Sequence, residues 1–176
     1  TILSNGSAQT AAVTATYDGI EVINFNAAGT TGIKTATVDT SLTLDSNQLE
    51  KVVVTGASAA NITVDLTGAD LETQTSELDA SAAGGAITAH VTKGDSATAK
   101  VTMSKQDDWL DYNGALASTA TLDGGEGTDT LELDTDLAYS SAATAQAGAG
   151  VSNFETLRLA SGTDVDERAL TGNAGI

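Results

Sequence analysis

The sequence predicts an all-β chain folded as a right-handed parallel β-helix, that is, a β-solenoid. Apolar and polar residues alternate in short segments, and these segments recur at intervals of about ten to twelve residues. Alternation places every second side chain on one face of a strand. The third observation is that the apolar residues are small and the repeat drifts in length, which favours a solenoid. An antiparallel β-sandwich is the alternative.

The alternating segments share Val, Ile, Leu or Ala on one face and mostly Thr or charged residues on the other. They are 62–66, 87–91, 97–103, 131–133 and 157–159. The run Val52-Val53-Val54 predicts a strand that is buried on both faces. Turn signals separate the segments, among them Gly84-Gly85, Asp123-Gly124-Gly125 and Ser161-Gly162-Thr163. Since the chain contains no Pro, no ladder loses an N–H donor.

The chain has 176 residues and no composition break, so we predict one unit over 1–176, a β-solenoid segment of a longer chain. One stretch differs from the rest. Residues 136–148 are rich in Ala, which has the highest helix propensity, and end at Gly148. A short helix or an ordered loop is expected there.

The composition is unusual for a globular core. Ala and Thr make up about a third of the chain, and aromatic residues only 3%. Such a chain must build thin core layers from Ala, Val, Ile and Leu, as narrow solenoids do because each turn packs on its neighbours. There are no Cys residues, so no disulfide staples the fold. This fits an exported protein that is stabilised by metal or by length.

The formal charge is −17, from 24 acidic and 7 basic residues. We therefore expect no nucleic-acid partner, because phosphate contacts need clustered Lys and Arg. No segment approaches the roughly 18 consecutive apolar residues of a transmembrane helix, so no membrane insertion is expected. The acidity has two explanations, solubility through self-repulsion and coordination of hard cations such as Ca²⁺.

One motif carries chemistry. Residues 123–134 contain a G-G-x-G-x-D-x-U unit formed by Gly124, Gly125, Gly127, Asp129 and Leu131. Glycines allow turns with positive φ and can direct carbonyl oxygens at one point, and Asp129 adds a carboxylate. Because Ca²⁺ takes six to eight oxygen ligands in loose geometry, the unit is half of a candidate calcium site. An ordinary acidic turn that binds no ion is the alternative.

The second half of the site is expected in residues 106–112. Counting back eighteen residues, two nonapeptides, from Asp129 leads to Asp111. Aligning the pattern of an acidic residue followed two positions later by an apolar one matches Asp108 to Asp129 instead. Both alignments stay open, and the candidate ligands are Asp107, Asp108 and Asp111 together with Gly124, Gly125, Gly127 and Asp129.

This unit, the Ala-rich stretch and the following Val151-Ser152-Asn153-Phe154-Glu155-Thr156-Leu157 resemble RTX-like, type I-secreted bacterial surface proteins, especially those of S-layers. The resemblance is specific over residues 105–159. It implies type I secretion, calcium-triggered folding outside the cell, and either assembly into a lattice or attachment to the bacterial surface. It also implies a calcium-binding role for Gly124, Gly125, Gly127 and Asp129.

An enzyme is not expected. The chain has one His, His90, on the polar face of its segment, and it has no Cys, so nucleophile–base pairs and zinc sites lack parts. One Trp, Trp109, is little for a glycan cleft. The predicted function is a structural calcium-binding segment that associates with itself, with cell-surface polysaccharide as a further partner. The alternatives are an adhesin segment that binds glycans or host proteins, and part of a secreted RTX hydrolase.

Overall fold

A computed structural model describes residues 2–3, 22–26, 51–57, 60–66, 76–93, 99–139 and 147–173. These residues contain twelve strands and a single 3-10 helical turn, Glu167–Ala169. The strands are β1 (Ile2–Leu3), β2 (Val22–Asn26), β3 (Lys51–Gly56), β4 (Ala60–Leu66), β5 (Ser76–Ala83), β6 (Ile87–Lys93), β7 (Ala99–Thr102), β8 (Trp109–Asn113), β9 (Thr121–Asp123), β10 (Thr130–Leu133), β11 (Val151–Ser152) and β12 (Thr156–Leu159).

The strands form two parallel sheets. The first sheet has the order β1-β2-β3-β5-β7-β9-β11, and the second has the order β12-β10-β8-β6-β4. From β3 onward the chain alternates between the sheets, so that each coil adds one strand to each sheet. All pairings between the named strands are parallel, which excludes the sandwich and confirms the predicted β-solenoid.

The register of the strands places apolar residues next to apolar residues of the neighbouring coils. In the second sheet Leu110 pairs with Ala89 on one side and with Leu131 on the other. In the first sheet the stacked row is Val52, Leu78, Val101, Leu122 and Val151. These side chains are at most 1% exposed, so the core consists of continuous rows that run through the coils. The prediction for Val53 was wrong, since it is only partly buried between the buried Val52 and Val54.

The Ala-rich stretch does not begin as a helix. Leu137 forms an isolated parallel bridge with Val165, so the chain is extended where the predicted helix would start. Residues 147–150 form a turn, and the intervening part of the prediction, 140–146, lies outside the described residues. The described part of the chain contains no helix that is long and apolar enough to cross a membrane.

Candidate cation site

The motif forms the corner that joins β9 in the first sheet to β10 in the second. Its glycines have a steric role, because corners of successive coils stack closely. Gly125 and Gly127 have φ values of 97° and 130°, and a Cβ at Gly127 would lie 2.6 Å from the carbonyl oxygen of Gln106. A Cβ at Gly125 would overlap the carbonyl oxygen of Ser104. Gly125 and Gly127 therefore allow contact with the preceding coil.

Gly124 faces the other way. A Cβ there would overlap the carbonyl oxygen of Asn153 and would lie 3.0 Å from Cβ of Asp129. The carbonyl of Asn153, which belongs to the following coil, thus occupies the space that a side chain at position 124 would need. Gly124 creates the room in which this carbonyl approaches the Asp129 corner.

Side chains from each coil accept backbone N–H groups of the coil before it, and we call this series the corner ladder. Each step in it is 2.7 Å long. The steps are Ile87 N to Asp108 Oδ1, Asp108 N to Asp129 Oδ1, Asp129 N to Glu155 Oε2, and Phe154 N to Asn173 Oδ1. The ladder satisfies backbone donors at the places where the chain leaves one sheet for the other.

Both carboxylate oxygens of Asp108 accept hydrogen bonds. Its Oδ1 accepts hydrogen bonds from Ile87 N at 2.7 Å and from the Ser104 hydroxyl at 2.9 Å. Its Oδ2 accepts Ser104 N at 2.7 Å. The side chain is 3% exposed, and this burial raises the pKa of the carboxyl against the effect of these hydrogen bonds. Asp108 therefore links its own coil to the preceding coil through hydrogen bonds.

Asp129 differs from Asp108 in that one of its carboxylate oxygens has no hydrogen-bond partner. Its Oδ1 accepts Asp108 N, but its Oδ2 is buried and has no hydrogen-bond partner. The residue is 1% exposed, and burial raises the pKa of its carboxyl to about 7. The hydrogen bond from Asp108 N lowers the pKa, whereas the nearby carboxylates of Asp108, Glu155 and Asp107 raise it further. An unpaired buried carboxylate oxygen is costly, and a cation would offset that cost.

The structure brings some of the predicted residues together. Asp107 lies at the same corner, where its Oδ1 accepts Thr128 N at 2.9 Å. Asp108 stacks under Asp129, as the pattern alignment predicts, with a separation of 21 residues along the chain. Asp111 lies elsewhere, within β8 on the outer face of the second sheet, where its carboxylate contacts His90 Nδ1 at 2.9 Å.

Two residues at this corner were missed by the sequence analysis, Asn153 and Glu155. Asn153 has a φ of 57°, the one positive value among the described non-glycine residues. Its side-chain amide donates a hydrogen bond to Asp123 Oδ1 at 2.7 Å. A spacing of 26 residues separates Glu155 from Asp129. Because the connection between β10 and β11 is long, no periodic signal in the sequence predicts this contact.

Side-chain carboxylates alone do not make a metal centre here. Within the described ranges, no group of three or more His, Cys, Asp or Glu side chains is arranged to hold a metal ion. A cation at Asp129 would need main-chain carbonyls as further ligands, which Ca²⁺ accepts. The unpartnered Oδ2 of Asp129 and the carbonyl of Asn153, which approaches Gly124, are oxygen atoms of the kind that such an ion binds.

The outer face of the second sheet carries a second polar cluster, formed by His90, Trp109, Asp111, Glu132 and Arg158. The groups in this cluster contact one another, and two of their polar atoms, Trp109 Nε1 and Glu132 Oε2, are buried without a hydrogen-bond partner. The His90 and Trp109 rings meet edge to face at 5.9 Å, and the Arg158 guanidinium lies 4.9 Å from the centre of the Trp109 ring. Arg158 also contacts Glu132 at 3.5 Å. As predicted, His90 is on the outer face, and these cross-strand contacts support the sheet.

No known protein family matches this chain, and neither does any curated protein or solved structure.

Proposed function

We propose that the chain is a structural, calcium-stabilised β-solenoid segment of a bacterial extracellular surface layer. The observation that carries this proposal is the buried, unpartnered Oδ2 of Asp129 in a glycine corner between coils. A divalent cation at that oxygen would replace an electrostatic penalty with a link between coils. The stacked parallel coils and the acidic chain are compatible with a secreted scaffold.

Thermal unfolding followed by far-UV circular dichroism, in excess calcium and then in chelator, tests the calcium part. A ligand that binds only the folded state stabilises it by about 2.7 kcal/mol at a concentration one hundred times its dissociation constant. We expect the melting temperature to rise with calcium in the natural chain. The Asp129→Asn variant should lose this response, because it keeps the acceptor for Asp108 N but removes the charge.

Identical curves with calcium and with chelator would contradict the proposal of a calcium site. The corner would then be a turn held by hydrogen bonds alone. Mg²⁺ is the matched ion control, since it demands near-octahedral geometry and gives up its waters reluctantly. We expect it to stabilise the chain less than Ca²⁺ does.

The surface-layer part predicts that copies of the chain associate with one another in calcium. Light scattering of the purified chain measures this association directly. We expect the assembled fraction to fall when chelator is added and to recover when calcium is restored. The same assembly in chelator as in calcium would contradict a calcium-dependent scaffold.

A further inference from the structure

We propose that the second half of the cation site comes from the following coil, through the carbonyl of Asn153 and the carboxylate of Glu155. A bound cation would then fasten the coil formed by β11 and β12 onto the coil formed by β9 and β10. This inference rests on the calcium site proposed above, and it replaces Asp107, Asp108 and Asp111 as the other half.

Three hydrogen bonds join Asp129 to the following coil. Its backbone N–H donates to Glu155 Oε2 at 2.7 Å, and its carbonyl accepts Glu155 N and Thr156 N, each at 3.0 Å. Glu155 therefore has a fixed position beside the corner. Its carboxylate and that of Asp129 thus belong to the same corner, where like charges repel each other and a cation would offset the repulsion.

Asn153 brings a main-chain oxygen to the same place. The residue adopts the left-handed region, which Asn tolerates better than most residues, and its side chain is anchored on Asp123. Its carbonyl occupies the space that a Cβ at Gly124 would need, and Cβ of Asp129 borders the same space. Asn153 thus brings a neutral oxygen to the acidic corner.

The preceding coil has less to offer a cation. Both oxygens of Asp108 accept hydrogen bonds from backbone or hydroxyl donors. Asp107 is exposed, and its Oδ1 accepts Thr128 N. Asp111 is on the outer face of the second sheet with His90. Among the carboxylates of this corner, Asp129 has a buried oxygen without a hydrogen-bond partner, and its neighbouring residues here include Asn153 and Glu155.

The consequence is a difference between coils in their dependence on calcium. β11 contains two residues and pairs with β9 at only two positions, after a connection that includes residues 134–150. Closing that long connection costs entropy, which is offset by these two residue pairs and by the four pairs between β12 and β10. A cation held from both sides would add a further link, so the coil formed by β11 and β12 is expected to respond to calcium more than the coils before it.

A matched pair of variants tests the assignment. Glu155→Gln and Asp107→Asn each keep an oxygen for the backbone N–H that the carboxylate now accepts, and each removes one exposed negative charge at the corner. In calorimetric titrations of the full chain with CaCl₂, we expect Glu155→Gln to weaken calcium binding about tenfold. Asp107→Asn should change it less than about twofold, because in this assignment Asp107 is not a ligand and its loss removes only a charge that salt screens.

Hydrogen exchange with mass spectrometry provides the second measurement. Calcium should slow exchange in 151–160 more strongly than in 87–93, and Glu155→Gln should remove that difference while its circular dichroism spectrum stays that of the natural chain. If Asp107→Asn weakens binding and Glu155→Gln does not, or if calcium protects both segments equally, the assignment to the following coil is wrong. If the natural chain binds no calcium, the proposed function fails together with this inference.

Discussion

At the scale of single residues, Asp129 and Asp108 have the same position in successive coils but differ in their hydrogen bonds. Both oxygens of Asp108 accept hydrogen bonds, whereas Oδ2 of Asp129 accepts none. Asn173 shows how an amide fits that position, since its Oδ1 accepts Phe154 N and its Nδ2 donates to Phe154 O at 2.6 Å. In Asp129→Asn the amide keeps an oxygen that accepts Asp108 N and removes the negative charge. In Asp108→Asn the amide would point an N–H at the N–H of Ser104.

Chemical denaturation in chelator at pH 8 therefore has opposite expected outcomes for the two variants. Asp129→Asn should raise the free energy of unfolding by about 1–3 kcal/mol, because it removes an unsatisfied buried charge. Asp108→Asn should lower it by about 1–3 kcal/mol, since it breaks a satisfied network. Equal losses in both variants would mean that Asp129 Oδ2 has a partner in solution.

The pKa of Asp129 also predicts how stability depends on pH without calcium. Its carboxyl has a pKa of about 7 in the folded chain, above the ordinary value of 3.8. The folded state therefore binds a proton that the unfolded state has released, so this stabilisation is complete below pH 4 and is lost as the pH rises toward 7. We expect the free energy of unfolding to fall by about 1 kcal/mol per pH unit in that window.

The Asp129→Asn variant, which is the control, should lose most of that slope and keep only the part that comes from the raised pKa of Asp108. Below pH 4 the free energy of unfolding decreases in both proteins as the pH falls. The Lys51 ammonium lowers the pKa of Asp79, and this ion pair is lost when the carboxyl is protonated. Both carboxyl groups can be followed by urea denaturation at a series of pH values in chelator. A flat profile for the natural chain between pH 4 and 7 would contradict the buried, unpaired state of Asp129.

At the scale of elements, the sequence predicted the strands well because alternation reports directly on which face is buried. Strands begin at residues 76, 87, 99, 109, 121 and 130, close to the expected interval. The failure at Val53 has a physical reason: the first sheet is covered by the core on one side, so the outward residue of an apolar run stays partly exposed. The residues around the corner could be predicted only in part, since contacts across the 134–150 connection follow no period.

The glycines of the corner give a prediction about turns. Gly125 and Gly162 have similar φ values, 97° and 89°, but a Cβ at Gly162 would meet nothing within 4 Å whereas one at Gly125 would overlap the Ser104 carbonyl. Gly162→Ala should cost about 1–2 kcal/mol, from the left-handed backbone alone. Gly125→Ala should cost several kcal/mol more, measured by urea denaturation in chelator, because the coils must move apart. Equal costs would mean that the corner can open without penalty.

At the scale of the whole molecule, a solenoid is a row of coils in which each contacts mainly its neighbours. Its stability is then close to a sum over coils and the interfaces between them, and no single central core dominates. The corner ladder and the stacked apolar rows both run along this axis. A substitution should therefore matter according to how many neighbouring coils its side chain contacts.

Leu110 and Leu157 test this view, because both belong to one row of the second sheet. Leu110 pairs with Ala89 and Leu131 and is fully buried, while Leu157 pairs with Leu131 on one side and is partly buried. Leu110→Ala should lower the free energy of unfolding by about 2–5 kcal/mol, because it leaves a cavity between two coils. Leu157→Ala should cost about 1 kcal/mol, in proportion to its smaller burial. Denaturation of both variants in chelator measures the difference, and equal losses would mean that Leu157 is covered as completely as Leu110.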